Sequence, residues 1–103
     1  MNPTVQRYVF DAGTDPDDVR AALLLALWGT ESLHGETNVR LEAGYFFDPE
    51  LLFCSIEENV PVGRDLNRLF LGFLIRELGA DAFTTERATQ DEERPLQPAM
   101  ETA

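Results

Sequence analysis

Val62-Gly63-Arg64-Asp65-Leu66-Asn67-Arg68-Leu69-Phe70-Leu71-Gly72-Phe73-Leu74-Ile75-Arg76-Glu77-Leu78-Gly79 reads as a helix with apolar residues on two sides. Leu66, Leu69, Phe70 and Phe73 recur at the three- and four-residue spacing of one helical stripe. Leu71, Leu74, Ile75 and Leu78 form a second stripe on roughly the opposite side. One stripe can be buried in the protein's own core. In a chain this short the second needs another cover, and that points to a partner.

Immediately upstream, Val39 to Phe47 alternates, with Val39, Leu41, Ala43, Tyr45 and Phe47 on one face, and is expected to form a strand. Asp48-Pro49-Glu50-Leu51 suits a turn, with aspartate first and proline second. Leu52 to Glu57 then returns as a further strand. Pairing Phe47 with Leu52, Tyr45 with Cys54 and Ala43 with Ile56 keeps the apolar members together. The other face carries Phe46 beside Phe53, Gly44 beside Ser55 and Glu42 beside Glu57.

Towards the N-terminus, Gln6 to Asp11 carries Tyr8, Val9 and Phe10, which suit a pleated surface and predict a first strand. Asp15 is a natural N-cap for a helix with Pro16 at its first position and Asp17 and Asp18 at the positive end of its dipole. That helix continues through Trp28, with Gly29 or Gly35 as its stop. Val19, Ala22, Leu23, Ala26 and Leu27 share one side, whereas Ala21, Leu24, Leu25 and Trp28 lie largely on the other. Both helices are therefore apolar over too much of their circumference.

After Gly79, Ala82 to Arg87 alternates and predicts a short fourth strand. The order strand, helix, strand, strand, helix, strand matches the ferredoxin-like βαββαβ plan, an α+β two-layer sandwich with both helices on one side of an antiparallel sheet. Residues 1–88 form this single domain. Residues 89–103 are acidic and proline-interrupted, without periodicity, and are expected to be a disordered tail.

The 103 residues, 44% of them hydrophobic, suffice for one core without metal or disulfide staples. Cys54 is the single cysteine, so no intramolecular disulfide is available. The N-terminus lacks the apolar core of a signal peptide, and the longest apolar run, Ala21 to Trp28, is far shorter than the ~20 residues that span a bilayer. A cytoplasmic protein without a membrane partner is expected. Nineteen acidic against eight basic residues give a net charge of −11, which repels phosphate backbones and argues against nucleic-acid binding.

The expected plan gathers Asp11, Asp15, Asp17, Asp18, Asp48, Glu50 and Asp81 at one end of the sheet. Such carboxylates, with Asp11, Asp15 and Asp48 foremost, could attract a hard cation. Their spacing is not that of an EF-hand, and Asp15, Asp17 and Asp18 already have roles at the helix start. No metal or other cofactor is expected.

Catalytic chemistry has little support. His34, the only histidine, stands near the end of the first helix, where the dipole favours a cation, and no sequence pattern gives it a partner. Cys54 occupies an inward-facing strand position that suits an inert buried thiol. Gly63-Arg64 lacks a phosphate-loop pattern, and Gly72 is expected to allow a close helix approach. Phe46 and Phe53, with Tyr8 or Phe10, could resemble an RNA-stacking platform, but the charge opposes it.

The leading expectation is a non-enzymatic module that forms a homo-oligomer or docks a protein partner through Leu24, Leu25, Trp28, Leu71, Leu74, Ile75 and Leu78. Leaving such side chains in water forgoes about 1.5–3 kcal/mol each. Trp28 is the preferred anchor, since tryptophan is enriched at interface hot spots. Three alternatives fit the same sequence. One is a small-molecule or metal-binding regulatory domain. Another is a small dimeric ferredoxin-like enzyme, with Tyr45, Cys54 and Arg76 as its polar candidates. The third is an acidic DNA-mimic inhibitor.

Overall fold

The structure is a computed structural model that describes residues 4–89. Apart from Thr89, which ends a strand, the expected tail lies outside the described residues. The chain is α+β, with a four-stranded antiparallel sheet and three α-helices. In order these are β1 (Thr4–Phe10), α1 (Pro16–His34), α2 (Glu36–Glu42), β2 (Tyr45–Asp48), β3 (Phe53–Glu57), α3 (Pro61–Leu78) and β4 (Phe83–Thr89), the last preceded by a 3-10 turn, Ala80–Ala82. The sheet order is β2-β3-β1-β4.

Helix α1 begins where its sequence says it should. The Asp15 carboxylate accepts a hydrogen bond from the Asp17 amide at 2.9 Å, Pro16 opens the first turn, and Asp17 and Asp18 lie near the positive end of the dipole. The helix passes Gly29 and stops at Gly35, whose φ of 90° is a conformation that a side chain disfavours. Gly79 stops α3 in the same way, with φ 89°.

Residues 36–42 correct the expected strand from Val39 to Phe47: they form α2, and β2 keeps only its last part. Alternation at Val39 and Leu41 fits a strand, yet only Val39 is buried, and Leu41 is well exposed. Glu36 and Arg40, one helical turn apart, pair at 2.7 Å, and the Asn38 side chain donates to the His34 carbonyl. A seven-residue helix is marginal alone, so the burial of Val39 supplies what propensity does not.

The hairpin register is also corrected. Phe47 faces Cys54 and Tyr45 faces Ile56, two residues away from the expected pairing. A two-residue slip leaves every side chain on its expected face, so hydrophobic pattern alone could not separate the alternatives. The turn decides it. The Asp48 side chain accepts from the amides of Glu50 and Leu51, and Leu52 takes a positive φ of 53° and lies in the loop instead of opening the strand.

On the helix side of the sheet, Tyr8, Phe10, Cys54, Ile56 and Phe83 meet Val19, Ala22, Leu23 and Ala26 of α1 and Leu66, Phe70 and Leu74 of α3. Tyr8 packs edge-on against Phe70 at 4.8 Å between ring centres. Helices α1 and α3 touch closely: a Cβ at Gly29 would lie 2.9 Å from Leu69 Cδ1. Gly72 does not serve a close approach, since nothing lies within 4 Å of a Cβ there. Gly63 does, with the Glu57 carbonyl oxygen 2.1 Å from its virtual Cβ. No helix among the described residues is long and apolar enough to cross a membrane.

Candidate interaction surface

The inward side of α1 is fixed by Val19, Ala22, Leu23 and Ala26, so helical geometry turns Leu24, Leu25 and Trp28 outwards. They are 45%, 44% and 55% exposed. Leu24 and Trp28 stand one turn apart and form a continuous ridge. On α3 the expected second stripe divides. Leu74 is fully buried in the core and Leu78 partly so, whereas Leu71 and Ile75 remain 37% and 45% exposed. Leu74 therefore stabilises the fold and is not accessible to a partner.

The two exposed sets do not form one patch. Asp65 and Leu69 mark the side of α3 that meets α1, through His34 and Gly29 respectively. Leu71 lies about 200° round the helix from Leu69 at 3.6 residues per turn, so it and Ile75 flank the side turned away from α1.

Beside the α1 ridge runs an open groove of about 470 Å³, lined by Arg20, Leu23, Leu24 and Leu27 of α1 and by Tyr45, Phe46 and Phe47 of β2. The Arg20 guanidinium lies over the Phe47 ring at 5.6 Å and pairs with Asp17 at 2.9 Å. Tyr45 and Phe46 are each about half exposed, so the groove continues onto the outer edge of the sheet. Its polar content is small, and no constellation of acid, base and nucleophile lines it.

The residues weighed for chemistry stay apart. Cys54 is fully buried in the core, Tyr45 sits at the sheet edge, and Arg76 is exposed on α3, so the polar set of an enzyme pocket is not assembled. Among the described residues no three His, Cys, Asp or Glu side chains gather as a metal site. Asp15 caps α1, Asp48 organises the hairpin turn, and Asp11 is exposed at the end of β1. The aromatic platform is likewise dispersed. Tyr8 and Phe10 are buried under the helices, and Phe53, on the opposite face, is covered by Arg7 at 5.6 Å.

Two polar contacts were not legible in the sequence. His34 Nε2 and Asp65 Oδ2 lie 2.7 Å apart, tying the end of α1 to the start of α3. In the core, the Tyr8 hydroxyl donates to Asn67 Oδ1, and the Asn67 amide donates to the carbonyls of Gly63 at 3.0 Å and Ile56 at 3.4 Å. Burial pushes the Tyr8 pKa far above its ordinary value, and the nearby Cys54 and Glu58 act in the same direction. Both contacts are structural, since neither opens onto the groove. A polar residue on an otherwise apolar helix flank, as at Asn67, was the one available signal.

No protein-family model matches the chain, and no curated protein matches it.

Proposed function

We propose that the chain is a non-catalytic protein–protein interaction module that self-associates or docks a partner through the outer face of α1 and the adjoining groove. The observation that carries this reading is Trp28, 55% exposed beside Leu24 and Leu25 on the same helix face. A tryptophan with two leucines beside it is the composition of an interface anchor. Contiguous apolar surface of this kind is uncommon on a protein that acts alone. The negative charge keeps phosphate-bearing partners away and favours a protein.

The fold that fits this reading is the ferredoxin-like plan, with α2 as an addition before β2. Support comes from two split βαβ units: β1 and β2 run parallel with β3 between them, and β3 and β4 run parallel with β1 between them. Such folds host many functions, so the reading rests on the surface and not on the plan.

The test captures partners on the full chain, using a differently tagged second copy and a host lysate, with the native protein and with a Leu24→Glu, Trp28→Glu variant. The native chain retains a partner, either itself or another protein, and the variant loses it. A native chain that retains nothing, or a folded variant that retains the same partner, contradicts the reading.

A further inference from the structure

We infer that the occupant of the groove is a second copy of this chain, joined through antiparallel pairing of β2 with its twin about a twofold axis perpendicular to the sheet. The inference rests on the interaction-module reading and names the partner. Its first support is the direction of the backbone. The Gly44 carbonyl accepts a hydrogen bond from the Glu57 amide at 2.8 Å, so Gly44 faces β3. Antiparallel ladders alternate, which turns Phe46 and Asp48 towards β3 as well and leaves the N–H and C=O of Tyr45 and Phe47 pointing out of the sheet. No turn, loop or cap hydrogen bond among the described residues uses those outward groups. Unpaired ladder positions of this kind are a template on which another strand can pair.

The second support is what each edge carries. The opposite edge, β4, presents Thr84, Thr85, Glu86 and Arg87, all exposed, with Glu86 and Arg87 engaged in ion pairs to Arg7 and Glu58. Charges on an edge strand discourage pairing. The β2 edge is Tyr-Phe-Phe-Asp, without proline, lysine or arginine. One edge is guarded and the other is open.

Symmetry then limits the register, and matching the three aromatic residues of β2 with one another selects within it. A twofold perpendicular to the sheet keeps each face on its own side, so a residue must oppose one that shares its face. With Phe46 opposite the second copy's Phe46, Tyr45 falls opposite the second copy's Phe47. These are the residues whose backbone groups point outwards, so they exchange reciprocal N–H to O=C bonds on both sides of the axis. Phe46 becomes the close, non-hydrogen-bonded pair. The same register continues the helix-side aromatic row of one copy into that of the other, beside Leu24 and Leu27 in each groove. The three central cross-strand pairs are then aromatic on aromatic, and Asp48 falls opposite the second copy's Gly44.

The test is oxidative cross-linking of the full chain carrying Phe46→Cys. Cβ atoms in a close antiparallel pair lie about 4.5–5.5 Å apart, within reach of a disulfide after small adjustment. The native Cys54 is fully buried and does not compete. F46C is expected to run at twice 11.6 kDa without reductant, and Trp28→Cys to remain single. On the native chain, the Tyr45 and Phe47 amides gain hydrogen-exchange protection as concentration rises, which keeps the test independent of how the variant folds. Cross-linking by W28C but not F46C overturns the strand pairing while leaving the interaction reading intact. A native chain whose Tyr45 and Phe47 amides show no concentration-dependent protection overturns it too, and capture of a different protein through Leu24 and Trp28 then decides the interaction reading separately.

Discussion

The Tyr8 hydroxyl on β1 donates its hydrogen bond to the side chain of Asn67 on α3, a residue 59 positions away. Asn67 in turn donates to carbonyls of Ile56 on β3 and Gly63 on its own helix, so one amide locks two inner strands to the helix that covers them. Replacing Asn67 by Leu removes the side-chain acceptor of a buried hydroxyl and leaves it only the backbone carbonyl of residue 67, at 3.5 Å. The expected loss is about 1–3 kcal/mol of stability in denaturant unfolding.

The same burial makes stability depend on alkaline pH. The unfolded chain releases the tyrosine proton near its ordinary value of 10.0, whereas the folded chain holds it well above that. The folded pKa is raised, so this contribution is complete below about pH 10 and is lost as pH rises, at up to about 1.4 kcal/mol per pH unit. All eight cationic residues are arginine, so no lysine titration overlaps the range. Tyr8→Phe should flatten the slope of unfolding free energy above pH 10, and an unchanged slope would show that Tyr8 does not cause it.

Two glycines of α3 respond oppositely to alanine. At Gly72 nothing lies within 4 Å of a Cβ, and helix propensity alone should raise stability by about 0.5–1 kcal/mol. At Gly63 the same gain meets a Cβ 2.1 Å from the Glu57 carbonyl oxygen. Overpacking of this kind costs about 1–3 kcal/mol, and backbone cannot yield as a side-chain tip can. Thermal unfolding of G63A and G72A should therefore shift in opposite directions.

Charge substitutions separate core from surface on one helix. Leu74→Glu places a carboxylate in the core and should abolish folding, as read by circular dichroism. Leu71→Glu with Ile75→Glu touches only partly exposed positions and should leave the fold intact. Asp15→Ala, which removes the α1 cap, should cost about 1 kcal/mol.

Local chemistry made much of the fold readable. Asp15-Pro16 marked the start of α1 to the residue, and Gly79 marked the end of α3, because caps and stops act within a turn of the chain. What failed were features decided by tertiary contacts. Residues 36–42 carry an alternation that satisfies a strand, and only the docking of Val39 makes them a helix. The hairpin register slipped by two because both pairings bury the same face. The surface was readable in part. Leu24, Leu25 and Trp28 follow from the side of α1 that the core takes, but Leu74 was separable from Leu71 and Ile75 only once the position of the sheet was known. The His34–Asp65 contact spans 31 residues and no local pattern announces it.

On the proposed reading, protein covers the exposed face of α1 and its groove. Light scattering on the full chain, over a concentration series at two salt levels, tests it most directly in its self-associating form. The expected mass rises from 11.6 kDa towards twice that value, and rises further at higher salt because screening relieves the repulsion between copies of net charge −11. A mass fixed at 11.6 kDa across the series and at both salt levels would contradict it.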